Sequence, residues 1–326
     1  MKRLIPVLFI ISSTLLSCTA PVEATPSPTP IPVPTPTPLP VQIEGLEETT
    51  IRKISLSVEQ NYPQIEEEFT QPIEETTSRI LGSMGIAICA QGMPCDASLY
   101  IDLVIKVIQE EYTGGEKCFA GAKAEGQMTL AIPAHEPVNL SIQGQEDPPF
   151  AIFSCATDFS DAPLTKAWGQ ALLNGLYEIW SIPVLTAALQ DQDGTISYAA
   201  IQIFEELGPL AIESALPALV DILNNKCIDH GSNAAYIIRA LKPQDEEVVQ
   251  ALIQCLEQHK AYPFPFIGTL KEIGPTAINA VPILVGLFEE GEDYTNGEIL
   301  EALQVITGQD FGLDANQWLE WWEEQQ

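Results

Sequence analysis

At 326 residues the chain is long enough for two domains once a leader is removed, and its 46% apolar content suits a protein that buries a core. Its 14 Lys and Arg stand against 45 Asp and Glu, a formal net charge of −31. Such a surface repels phosphate backbones and anionic lipid headgroups, which argues against nucleic-acid binding and against peripheral electrostatic membrane attachment. A solvated acidic surface, a basic partner or loosely held divalent cations fit it instead.

Residues 1–18 carry a targeting signal. Lys2 and Arg3 precede a mainly apolar run from Leu4 to Leu16, too short to span a bilayer comfortably and of the length of a signal-peptide core. The run ends in Leu15-Leu16-Ser17-Cys18, which resembles the lipobox of bacterial lipoproteins. The resemblance implies cleavage before Cys18 and acylation of that residue. The protein would then be held through lipid on the outer side of the cell membrane, or in the periplasm or outer membrane. Several acyl chains on one residue hold stably where one chain binds marginally.

Residues 19–43 form a Pro/Thr-rich tether. Pro26, Pro28, Pro30, Pro32, Pro34, Pro36, Pro38 and Pro40 recur at every second position, a pattern that favours extended polyproline II and forbids helix. At about 3.1 Å per residue the stretch from Pro21 to Pro40 reaches roughly 60 Å.

Residues 44–180 show no repeat and predict a small α+β domain with a mainly antiparallel sheet and helices. Thr50–Val58 alternates as a half-buried strand does, Ile65–Met84 reads as a helix that Pro72 interrupts, and Ala97–Val107 is a clear strand. Gly114-Gly115 offers a turn into a return strand over Ala120–Ile132, and Val138–Ile142 makes a third. Pro163–Ile179 reads as a closing helix, with Trp168, Leu172, Leu173, Leu176 and Ile179 on one face.

Residues 181–326 repeat. Ile182-Pro183-Val184-Leu185, Leu216-Pro217-Ala218-Leu219, Val249-Gln250-Ala251-Leu252 and Val281-Pro282-Ile283-Leu284 return about every thirty-three residues. A second, interleaved series runs through Leu207, Leu241, Ile273 and Ile306, and Gly-Pro follows the first and third of these. Two series with one period make a repeating pair of helices, with the prolines at 183, 217 and 282 near the start or in the first turns of the second helices. Helix pairs of this length resemble HEAT repeats, an armadillo-type all-α solenoid whose stacked helices present an extended surface to proteins or peptides. Similar repeats occur among relatives of phycobilin lyases, but the array alone does not imply that activity. Pro263-Phe264-Pro265-Phe266 delays the first helix of the third unit.

With Cys18 lipidated, Cys89, Cys95, Cys118, Cys155, Cys227 and Cys255 remain, an even number that favours disulfides outside the cytosol. Cys89 with Cys95 would close a short loop, and Cys118 with Cys155 would tie the sheet to the segment before the closing helix. Cys227 with Cys255 would join successive second helices near their ends.

No catalytic, cofactor or metal motif emerges. Asp191-Gln192-Asp193-Gly194 begins like a calcium loop, but no third ligand or closing Glu follows, so it reads as an inter-helix turn that caps the next helix. His230 beside Asp229 reads as a helix N-terminal residue, and His135, His230 and His259 are scattered. Trp318, Trp321 and Trp322 share one face of the last helix, as a terminal cap or as an aromatic contact for a partner. The expectation is a membrane-anchored, extracytoplasmic protein-binding scaffold without enzyme activity or cofactor. The alternative is an envelope enzyme or small-ligand binder with its site in the α+β domain, and a purely structural spacer is a third possibility.

Overall fold

The computed structural model describes residues 40–63, 73–90, 92–111, 117–146, 161–259, 261–288 and 293–325. Cys18, the leader, most of the tether, Glu66, Pro72 and Cys155 lie outside these residues. So do Gly114 and Gly115 and the side chain of Cys118, although its backbone belongs to a strand.

The N-terminal part contains β1 (Lys53–Asn61), α1 (Ile73–Ser83), β2 (Ala87–Ile88), β3 (Ala97–Glu111), β4 (Lys117–Ala131), β5 (Val138–Glu146) and α2 (Asp161–Trp180). The strands form one sheet in the order β2-β1-β3-β4-β5. β1 pairs in parallel with both β2 and β3, while β3–β4 and β4–β5 are antiparallel. The sheet is therefore mixed rather than mainly antiparallel. The physical reason is α1, which returns the chain after β1 so that β2 enters alongside β1 in the same direction. The loop between β2 and β3 then passes around the start of β1. There Cys89 N–H donates to the Ile54 carbonyl at 2.8 Å, and Asp96 Oδ2 accepts from the N–H groups of Arg52 and Lys53 at 2.8 and 2.9 Å.

One face of the sheet is covered. Leu99, Ile101, Leu103 and Ile105 of β3 are buried and alternate with more accessible Ser98, Tyr100, Asp102 and Val104, as the two-residue strand period requires. α2 lies on the buried face at very close range because glycines meet it. A Cβ on Gly144 would fall 2.1 Å from the Ala167 carbonyl oxygen, and one on Gly175 would fall 2.6 Å from Ile142 Cγ2. α2 also satisfies the edge strand. Asn174 Nδ2 donates to the Gln143 carbonyl at 3.1 Å, and Gln145 N–H donates to Gln170 Oε1 at 3.0 Å, occupying backbone groups that would otherwise invite another strand.

The C-terminal part is helical: α3 (Ile182–Ala188), α4 (Gly194–Leu207), α5 (Pro209–Asn225), α6 (Cys227–Leu241), α7 (Glu246–Gln258) and α8 (Phe264–Ile273), then a 3-10 helix (Gly274–Ala280), α9 (Val281–Gly286), α10 (Asp293–Thr307) and α11 (Ala315–Glu323). α4 packs on α6, α6 on α8 and α8 on α10; in a second set α3 packs on α5, α5 on α7, α7 on the 3-10 helix and α9 on α11. The first set ends each time at a left-handed residue: φ is 77° at Gly208, 50° at Lys242, 75° at Gly274 and 70° at Gly308. Such residues terminate helices by turning the chain away from the helical hydrogen-bond ladder.

One expectation about the repeats needs correction. Pro183 and Pro282 do sit in the first turn of α3 and α9, but Pro217 lies inside α5, which already begins at Pro209. In the next-but-one unit the equivalent stretch splits into the 3-10 helix and α9. Packing continues across residue 180. α2 contacts β4 and β5 as well as α3 and α4, and Trp168 and Trp180 are each 1% exposed, so one hydrophobic core runs through both parts.

Candidate functional site

The α3–α4 turn is built by two aspartates with different tasks. Asp193 is the N-cap of α4, its Oδ1 accepting from Thr195 N–H at 2.9 Å. The Asp191 side chain is 2% exposed and accepts from Arg79 Nε at 3.0 Å and Arg79 Nη2 at 2.9 Å, a two-pronged ion pair to α1. Asp191 Oδ1 also accepts from Asp193 N–H at 2.8 Å. The hydrogen bond to Asp191 chiefly raises the Arg79 guanidinium above its ordinary value. The Asp-x-Asp-Gly stretch thus serves as a helix cap and an anchor to α1.

Beside this turn opens a cleft of about 720 Å³, reaching along α4 to the first turns of α6. Asp191 and Gln190 contribute to one side, Tyr198 of α4 to another, and Ile228, Asp229 and His230 of α6 to the third. Tyr198 is 43% and Ile228 59% exposed, large apolar surfaces left to solvent at a polar rim. Lys166 Nζ of α2 stands 4.5 Å from the centroid of the Tyr198 ring. Lys226 Nζ, at the N-cap of α6, donates to Gln190 Oε1, and Asn233 Nδ2 donates to the Leu189 carbonyl at 3.2 Å. Partial burial holds the His230 imidazole below its ordinary pKa; Lys226 adds to that, and Asp229 and Asp191 oppose it. The aspartate pair and Asp229-His230 stand out in the sequence. Arg79, Tyr198 and Ile228 do not, because only the fold brings them to the same place or leaves them exposed.

Among the described residues two disulfides form. Cys89 and Cys95, with Cα atoms 6.2 Å apart, close the loop that rounds the start of β1. Cys227 and Cys255 have Cα atoms 5.5 Å apart. They do not join the ends of successive second helices: Cys227 opens α6, and Cys255 lies near the end of α7. The first turn of α6 comes next to the last turns of its own partner helix, and that is why 28 residues separate the pair. Cys227 directly precedes Ile228 of the cleft wall. Two disulfides suit an oxidising compartment. The pairing of Cys118 with Cys155 lies outside the described side chains.

The three C-terminal tryptophans differ in burial. Trp318 is fully buried, donates through Nε1 to the Gly312 carbonyl at 2.8 Å and meets Phe311 edge-on at 4.9 Å. Trp322 packs partly buried against the core, and Trp321 is half-buried. Asp314 caps α11 through Asn316 and Gln317, and the bonds to Gln317 lower its pKa.

The helical part concentrates the charge. Residues 181–326 hold 5 Lys and Arg against 23 Asp and Glu, a balance of 5 − 23 = −18. The described cations are all engaged: Lys242 with Glu272 at 2.6 Å, Lys271 with Glu301 at 2.5 Å and Lys226 with Gln190 reach from one helix or turn to another, and Arg239 lies over the Tyr236 ring of its own helix. The hydrogen bond from Lys242 chiefly lowers the Glu272 carboxyl, and that from Lys271 to Glu301 chiefly raises the ammonium. Among the described residues no group of three or more His, Cys, Asp or Glu is placed to hold a metal ion, and no helix is long and apolar enough to cross a membrane. No protein-family model matches the chain, and no curated protein matches it.

Proposed function

We propose that this chain is a lipid-anchored, extracytoplasmic scaffold whose C-terminal helices are HEAT repeats that hold a basic protein partner. The observation that carries the reading is the alternating two-set packing of α3–α11 at the sequence period of about thirty-three residues, together with the acid excess of that part. Quasi-one-dimensional arrays of this kind present long surfaces and bind through them. With its own cations already engaged, such a surface attracts basic groups, and binding to it weakens as salt screens the field. Cys18 carries the lipid, residues 19–43 hold the folded part away from the membrane, and the disulfides fit that compartment.

The test is crosslinking of the full tagged chain in intact cells of its host, with mass spectrometry of what is captured at low and at high salt. A recurrent protein with a basic surface, released by salt, is the expected result. Capture indifferent to salt, or no specific capture, overturns the scaffold reading. A Cys18→Ser variant that still sediments with membranes overturns the anchor.

A further inference from the structure

The cleft between the α3–α4 turn and α6 has one carboxylate with no internal task. Asp191 is committed to Arg79, and Asp193 to the cap of α4. Asp229 stands exposed in the first turn of α6 and takes part in no ion pair or hydrogen bond among the described residues. Near it, Tyr198 and Ile228 expose apolar surface at the cleft wall, and the Tyr198 ring already has one ammonium 4.5 Å from its centroid. Lys226, the cation closest in sequence to Asp229, is held by Gln190 across the mouth.

These features select a ligand with three properties. It carries a delocalised cation that can meet a carboxylate through two donors, a plane that stacks on an aromatic face, and an aliphatic stem for Ile228. We propose that the cleft receives an arginine side chain of the partner, with its guanidinium on Asp229 and against Tyr198 and its methylenes on Ile228. The proposal rests on the scaffold reading above and assigns that scaffold a specific anchoring point. At about 720 Å³ the cleft has room for the backbone that presents the side chain as well.

The test uses the full chain and N-acetyl-arginine amide as the probe, followed by amide NMR shifts, with N-acetyl-citrulline amide as the uncharged isostere. Saturable shifts at Tyr198, Ile228, Asp229 and His230 are expected, with the citrulline compound at least about tenfold weaker. Asp229→Asn and Tyr198→Phe, both on exposed positions, should each keep the parent melting temperature. The first should lose about tenfold in affinity for the arginine probe, and the second should keep most of it because the ring remains. Shifts centred elsewhere, equal binding of the citrulline probe, or an Asp229→Asn protein that binds as well as the parent each overturn the cleft. In-cell capture separates the two ideas: a partner held equally well by Asp229→Asn removes the arginine site and leaves the scaffold standing. Probe binding to the cleft without any captured partner does the reverse.

Discussion

The guanidinium of Arg79 meets the carboxylate of Asp191 through two hydrogen bonds of 2.9 and 3.0 Å, across 112 residues of sequence. The pair fastens α1, which flanks the sheet, to the first turn of the helical array. Asp191 is nearly inaccessible while Arg79 keeps 26% of its side-chain surface. Asp191→Ala removes a buried acceptor that serves Arg79 and the Asp193 N–H and leaves Arg79 with Glu75 at 3.3 Å, so it should cost about 1–3 kcal/mol in urea unfolding. Replacing both, as Arg79→Met with Asp191→Leu, should recover most of that loss. Equal destabilisation by the double variant would show that the turn, not the charge pair, carries the effect.

Gly231 sits against the Cys227–Cys255 bond. A Cβ there would lie 2.6 Å from Cys255 Sγ and 3.3 Å from Cys227 Sγ. Gly231→Ala should therefore destabilise by about 1–3 kcal/mol through overpacking. Gly297 in α10 meets nothing within 4 Å, so Gly297→Ala should stabilise by about 0.5–1 kcal/mol. Thermal unfolding of the two variants in parallel checks the contrast in sign.

Lys242 ends α6 at φ 50° and ψ 54°, a left-handed conformation that glycine adopts without strain. Lys242→Gly removes the Cβ strain and loses only an exposed ion pair to Glu272. A net gain of about 0.5–1 kcal/mol in chemical denaturation is expected.

Cys227 and Cys255 close a loop of 28 residues. Chain-entropy reasoning assigns the bond about 3–4 kcal/mol, so Cys227→Ala with Cys255→Ala should unfold at markedly lower denaturant. Because α6 begins at Cys227, the same variant should show faster amide exchange over residues 228–231, bordering the cleft. Unchanged exchange there would separate the bond from the cleft's order.

His230 provides the pH dependence. Burial lowers its folded pKa below the ordinary 6.5, so folding favours the neutral ring. A group depressed in this direction contributes stability above the unfolded value and loses it as pH falls from 6.5 through the folded pKa. Lys226 and Asp229 on α6, Asp191 on the turn and Tyr198 on α4 are the titratable and charged groups around it. Melting temperature should fall more steeply below pH 6.5 in the parent than in His230→Gln. Parallel curves would remove His230 as the cause.

The sequence by itself determined the features that are local in origin. The spacing of Leu207, Leu241, Ile273 and Ile306 marks four helix ends because apolar periodicity and the residue after each are read within a few positions. The alternation in Ala97–Val107 marked β3 for the same reason, though its true end, at Glu111, follows from pairing with β4. Strand direction was not local: α1 set β2 parallel to β1, and no alternation of side chains records that. Nor was the placement of Cys227 at the head of α6, which depends on where α5 stops. The tertiary structure alone brought Arg79 to Asp191, exposed Tyr198 and Ile228 beside Asp229, and let α2 serve the sheet and the array at once. Those relationships join residues tens of positions apart, and their energy comes from burial and pairing that exist only once the chain has folded.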